Sequence, residues 1–106
     1  MTRTEMAQQL RDLMAGKLTR VDCPSYVVQP APSGPTDFIV FPKCPSGHSV
    51  YYISMENIPV GLTLTPYVDF VVDLLDNPDL FDAMVSAYGC CLRWKDRARA
   101  GSPRSP

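Results

Sequence analysis

The sequence predicts a small α+β domain: an antiparallel sheet of about four short strands with an N-terminal helix and two C-terminal helices. Three observations lead there. Apolar residues recur at helical spacing near both ends of the chain and nowhere between. The middle, from Asp22 to Pro66, holds Pro24, Pro30, Pro32, Pro35, Pro42, Pro45, Pro59 and Pro66, which exclude a long helix there. Between those prolines lie short runs rich in β-branched and aromatic residues. With 106 residues, 45% of them hydrophobic, the chain has room for one such domain and no second lobe.

The first helix opens at Thr2, three residues before Glu5. That is the spacing of a capping box, in which each side chain satisfies an orphan backbone N–H of the first turn. Met6, Leu10, Leu13 and Met14 form its apolar stripe, with Leu18 one turn further on, and Gly16 is the expected stop. The strand candidates are Tyr26-Val27-Val28, Phe38-Ile39-Val40-Phe41, Val50-Tyr51-Tyr52-Ile53 and Leu62-Thr63-Leu64. The second and third read as a hairpin across the turn-rich stretch Pro42–Ser49, and Gln29–Thr36 reads as a loop.

A second helix is expected from Thr65 as N-cap with Pro66 in its first position, presenting Val68, Val71, Val72 and Leu75. Asn77-Pro78 breaks it and caps a third helix striped by Phe81, Met84, Val85 and Tyr88 and ended by Gly89. Tyr67, Phe70 and Leu74 fall off the second helix's stripe. That surplus of apolar surface suggests a structural or assembly subunit that pairs with a copy of itself, a homodimer, as the alternative function.

Charge divides the chain in two. Residues 93–106 carry Arg93, Lys95, Arg97, Arg99 and Arg104 against Asp96, a net +4, within a formal total of −1, which leaves −5 for residues 1–92. The expected organisation is therefore a body over 1–92 and a basic, disordered tail over 93–106. Arginines and lysines around the single tryptophan, Trp94, form a grip for single-stranded RNA or an acidic protein surface: Arg93, Lys95, Arg97 and Arg99 for phosphates, the indole for a base. The plainer reading makes Trp94 a core cap and the tail a solubilising end. Asp69, Asp73 and Asp76 share one face of the second helix, either solvated or a dock for a basic partner. Their spacing lacks the alternation of a calcium loop.

Most enzyme classes lose their residues here. His48 is the only histidine, which removes every two-histidine metal motif, and the chain has no Gly-x-Ser-x-Gly elbow, phosphate loop or dinucleotide fingerprint. The expectation is a non-enzyme. No apolar run reaches the length of a membrane span and the N-terminus has no signal-peptide core, so an intracellular, cytoplasmic setting is expected. In that setting cysteines serve as thiols or metal ligands. Cys44 and His48 stand four apart on a Pro/Gly turn. Cys23 and one of Cys90 or Cys91 would complete a tetrahedral zinc site tying three segments of a small core together. The alternative is that the thiols are packed as small apolar groups.

The stretch Phe41–Glu56, with Cys44, His48, Tyr51-Tyr52 and Ser54, resembles part of the zinc-binding region of sobemovirus P1 proteins. Those are small plant-virus accessory proteins that suppress host RNA silencing. The resemblance implies Cys44 and His48 as zinc ligands and a regulatory role against a host or viral partner. The paired cysteines of that region are represented here by Cys44 alone.

Overall fold

The computed structural model describes residues 1–43, 50–54 and 60–93, with backbone only for 60–64. Its elements, in chain order, are α1 (Arg3–Met14), β1 (Val21–Asp22), β2 (Tyr26–Ala31), β3 (Gly34–Pro42), β4 (Tyr51–Ser54), α2 (Val60–Asp76), α3 (Pro78–Tyr88) and β5 (Cys91–Arg93). The α+β class is as the sequence predicts. The capping box forms as expected: Thr2 Oγ1 accepts from the Glu5 N–H at 3.1 Å, and Glu5 Oε1 accepts from the Thr2 N–H at 2.8 Å. Gly16 stands just beyond the helix with φ +80°, a conformation that costs glycine little. Asn77 caps α3 by accepting from the Leu80 N–H, with Pro78 in the first turn, and Gly89 ends it at φ +91°.

Four expectations are corrected. The sheet has five strands in the order β1-β2-β3-β4-β5 and is mixed, because β4 and β5 run parallel. The chain passes from β4 through α2 and α3 before returning, and such a crossover delivers the next strand in the same direction. The outer strands, of two and three residues, are too short to register as β-rich runs and owe their form to pairing with a neighbour.

Gln29–Thr36 is not a loop. β2 and β3 continue to Ala31 and Gly34, leaving only Pro32-Ser33 as the turn. The Lys43 N–H donates to the Ser25 carbonyl at 2.9 Å, which fixes Tyr26↔Pro42 as a non-hydrogen-bonded pair. By the alternation of the ladder, Pro30 opposite Phe38 is another. Both prolines therefore sit where the β2–β3 ladder needs no N–H from them. Pro35, Thr36 and Asp37 have no partner on β2, because the register shifts between Pro30 and Ala31. They form a bulge.

Leu62–Leu64 is helix, not strand, since α2 begins at Val60. Thr65 and Pro66 accordingly lie inside α2 rather than at its cap. The Thr65 hydroxyl accepts from Arg11 of α1 at 2.9 Å, so it ties two helices together instead of starting one.

One core lies between the sheet and the helices. Alternate strand residues Tyr26, Val28, Phe38, Val40, Tyr51, Ile53 and Leu92 are buried together with Met6, Leu10 and Leu13 of α1 and Phe81 of α3. Phe81 lies 5.0 Å from the Tyr26 ring and 4.7 Å from Tyr51, and Tyr67 of α2 stacks on Phe38 at 6.1 Å. α1 packs over β1–β3 and α3 over β5, while α2 lies against both other helices. Tyr67, Phe70 and Leu74 are each 2% exposed or less. The apolar surplus of α2 is thus consumed within one chain.

Candidate functional site

Burying one face of a sheet presents the other, and alternation decides what stands there. The registers align Cys91, Tyr52, Ile39 and Gln29 in one row across four strands. A second row carries Phe41, Val27 and Asp22, and a third pairs Arg93 with Ser54. No described helix contributes to this side; the helical core residues all join the opposite face. The outward rows are apolar for a solvent-facing surface. Phe41 is 37% exposed and Val50, just before β4, is 40% exposed, while Val27, Ile39 and Tyr52 are half-buried.

Two rings stand on this open face at diagonal positions of adjacent strands. Ile39 is opposite Tyr52 and Phe41 is two residues along, which sets their backbone positions roughly 7–8 Å apart. Tyr52 is held: its hydroxyl donates to Asp37 at 3.3 Å and also meets the Ser33 hydroxyl, which in turn donates to Asp37 at 2.7 Å. Its ring therefore leans across β3 towards the β2–β3 turn. The helix layer reaches the same bulge from below, where the Tyr67 hydroxyl donates to the Thr36 carbonyl. Burial, with Asp37 nearby, pushes the Tyr67 phenol far above its ordinary range, so it stays a donor.

Charge is sorted between the layers. The three helices carry Glu5, Asp12, Asp69, Asp73, Asp76, Asp79 and Asp82 against Arg3 and Arg11. The described strands and connections carry Lys17, Arg20, Lys43 and Arg93 against Asp22 and Asp37. Lys43 and Arg20 both bond Asp22 at one end of the open face, and Arg93 stands at the other. Lys43, and after it Arg20, holds the Asp22 carboxyl below its ordinary range.

Arg3 of α1 forms ion pairs with Asp73 and Asp76, so part of the acidic face of α2 is met from within the chain. Beside it, a groove of about 390 Å³ between α1 and α2 is lined by Arg3, Gln8, Arg11 and Asp69. Its cations are already engaged, Arg3 by Asp73 and Asp76 and Arg11 by Thr65.

The expected zinc ligands that are described, Cys23, Cys90 and Cys91, are not gathered at one place. Cys23 follows β1 at one edge of the sheet, is 1% exposed, and belongs to the apolar core, where burial pushes its thiol up to about 11. Cys90 and Cys91 are exposed at the opposite edge, at and before β5. At about 4.8 Å per strand the two places, four strand spacings apart, lie on the order of 20 Å apart. Thiolates on one zinc stand within about 4 Å of each other. Cys23 and the Cys90–Cys91 pair therefore do not fit a single site, and a protonated buried thiol is a poor ligand. Among the described residues no group of three or more His, Cys, Asp or Glu side chains is placed to hold a metal. Cys44 and His48 lie outside the described residues.

Of the expected nucleic-acid contacts, Arg93 belongs to β5 and is half-buried on the open face, which carries the sheet one residue past the anticipated end of the body. Trp94, Lys95, Arg97 and Arg99 lie outside the described residues. Sequence reasoning missed Val27, Ile39, Phe41 and Tyr52. The signal was present: Phe38-Ile39-Val40-Phe41 and Val50-Tyr51-Tyr52-Ile53 are apolar at both alternations, whereas a one-sided strand needs only one. Among the described residues no helix is long and apolar enough to cross a membrane. Comparison of the chain with protein-family models, with curated proteins and with solved structures finds no match.

Proposed function

We propose that this protein is a non-enzymatic binding protein that holds single-stranded RNA across the open face of its sheet. The observation that carries the reading is that Phe41 and Tyr52, on adjacent strands, both stand on the face turned away from the acidic helices. Unstacked bases are commonly gripped by aromatic side chains on an open sheet, with cations taking the phosphates. Lys43 and Arg93 flank the two rings, and the chain continues from Arg93 into Lys95, Arg97 and Arg99. Repulsion from the helix layer directs a polyanion to this side. Suppression of RNA silencing, implied by the resemblance of Phe41–Glu56, would be one use of such a surface.

Titration of a labelled single-stranded decanucleotide with the full chain tests this. Affinity should fall as salt rises, with a log–log slope of about −0.7 for each phosphate contacted. Phe41→Ala and Tyr52→Ala should each weaken binding by about 1–3 kcal/mol, the value of one base stacked on one ring. Binding that is unchanged in both variants removes the open face from the reading. Absence of binding at low salt removes RNA.

A further inference from the structure

Resting on the RNA reading above, we infer that the open face selects strands whose bases do not stack on one another, so that it takes runs of uridine in preference to runs of adenosine.

The first ground is the separation of the two rings. Phe41 and Tyr52 occupy diagonal positions of β3 and β4, where backbones stand roughly 7–8 Å apart. Neighbouring bases stacked on one another in a strand lie about 3.4 Å apart. Two such bases cannot each lie on a ring of their own, because the ring positions are about twice that distance apart. Both rings are used only if the strand is opened to their spacing.

The second is where the Tyr52 ring points. Its hydroxyl donates to Asp37 and meets the Ser33 hydroxyl, both beside the turn that starts β3. Phe41 lies towards the opposite end of that strand, next to Pro42. The tether therefore draws the Tyr52 ring away from Phe41. Among the described residues the two rings make no contact with each other. Rings drawn apart do not clamp one base between them. They receive two bases, one each, with Ile39 of β3 between the two places.

The third is what the face offers to a base edge. Ile39 and Val27 stand beside the rings and have no donor or acceptor in their side chains. Gln29 lies in the row of Tyr52 and Ile39, but an amide that can turn over pairs with either order of donor and acceptor. Asp22 is held by Lys43 and Arg20, and Asp37 by Ser33 and Tyr52. Edge hydrogen bonds thus decide little between bases at the rings. What separates one strand from another is the cost of pulling neighbouring bases apart. Adenines stack strongly on each other and uracils weakly, so a uridine run reaches the same two ring contacts at the lower cost.

Titration of the full chain with labelled decauridylate and decaadenylate, at one low salt concentration, tests this. Decauridylate should bind severalfold more tightly. The near-ultraviolet circular dichroism of decaadenylate, which reports its stacked bases, should weaken as protein is added. Phe41→Ala should bring the two affinities towards equality, because a single ring requires no separation of bases. Phe41→Leu, which keeps the face apolar, should do the same. Decaadenylate that binds as tightly as decauridylate overturns the inference, and so does decaadenylate that binds with its stacking band intact. A preference for decauridylate that is equal in wild type and both Phe41 variants also overturns it, since the choice is then made away from the rings. Failure of both strands to bind at low salt is a separate result, which removes the RNA reading and this selection with it.

Discussion

Phe38 and Phe41 sit three residues apart on β3, and their surroundings are opposite. Phe38 is fully buried, stacked on Tyr67 and closed in by the helix layer. Phe41 is 37% exposed on the other face, diagonal to Tyr52. The same contrast separates Ile53 from Tyr52 and Val28 from Val27. It also separates the strands from α2, whose extra apolar residues Tyr67, Phe70 and Leu74 are all buried. An apolar surplus in a helix wedged between two helices and a sheet is a packing requirement. An equal surplus on a sheet whose described helices all lie on one side is unspent, and that is why the open face rather than α2 is the candidate binding surface.

The largest effect expected from this contrast is on stability. Phe38→Ala should cost about 3–5 kcal/mol, because it leaves a cavity under Tyr67 that the core cannot fill. Phe41→Ala should cost less than about 1 kcal/mol, since its side chain keeps much of its contact with water in the folded state. Urea melts of the two variants, read at the same wavelength, provide the comparison. Equal losses would mean that the open face is covered as tightly as the core, and the two-sided account of β3 would fail.

Much of this architecture can be read from the sequence, and the failures have identifiable causes. Thr2, Glu5, Asn77, Pro78, Gly16 and Gly89 act within one helical turn, so their chemistry is local and their roles follow from spacing alone. Pro66 carries the same local signal but sits within α2, where the bond from Arg11 to Thr65 and the burial of Tyr67 and Val68 hold the helix through it. Pro30 and Pro42 read as breakers because a sequence does not reveal which ladder positions need an N–H. The direction of β5 depends on the crossover, which is tertiary. The joining of Cys23 with Cys90 or Cys91 is illegible for the same kind of reason: the cysteines are equivalent as letters but lie at opposite edges of the sheet.

A smaller effect should connect the two faces. Tyr67 donates to the Thr36 carbonyl in the bulge, next to the Asp37 that holds Tyr52. Tyr67→Phe removes one hydrogen bond and leaves that carbonyl without this donor, at a cost of about 1–2 kcal/mol. If the bulge positions Tyr52, the variant should also lose affinity for the decanucleotide at a temperature where it is fully folded. Lost stability with unchanged affinity would confine Tyr67 to the core.

The capping box gives a reference effect remote from both faces. Thr2→Ala should destabilise by about 0.5–2 kcal/mol through the first turn of α1 and leave RNA binding unaltered. Glu5 adds a pH signature. Its bonds with Thr2, backbone first and hydroxyl second, hold its carboxyl below the ordinary range. That contribution is complete above the unfolded value of 4.5 and is lost as pH falls below it. Melts of wild type and Glu5→Gln should therefore differ at pH 6 and converge at pH 3, where both side chains are neutral. A constant gap between them would rule out the reciprocal bond as its source.

A last effect, absent at neutral pH, contrasts two thiols. Cys23 is in the apolar core with its thiol raised to about 11, and Cys91 is exposed on the open face beside Tyr52. A raised thiol is held protonated by the fold, so its contribution is complete below the unfolded value of 9.0. It fades as pH climbs towards 11, because the unfolded chain gains the thiolate first. Stability should thus decline between pH 9 and pH 11, and Cys23→Ala should flatten that decline while paying a modest constant cost for its missing sulfur. Native protein treated with a thiol-reactive dye at pH 8 should label Cys91 rapidly and Cys23 only on unfolding, as peptide mapping would show. Early labelling of Cys23 would mean that β1 opens readily and that the buried side of this edge is no more protected than the open one.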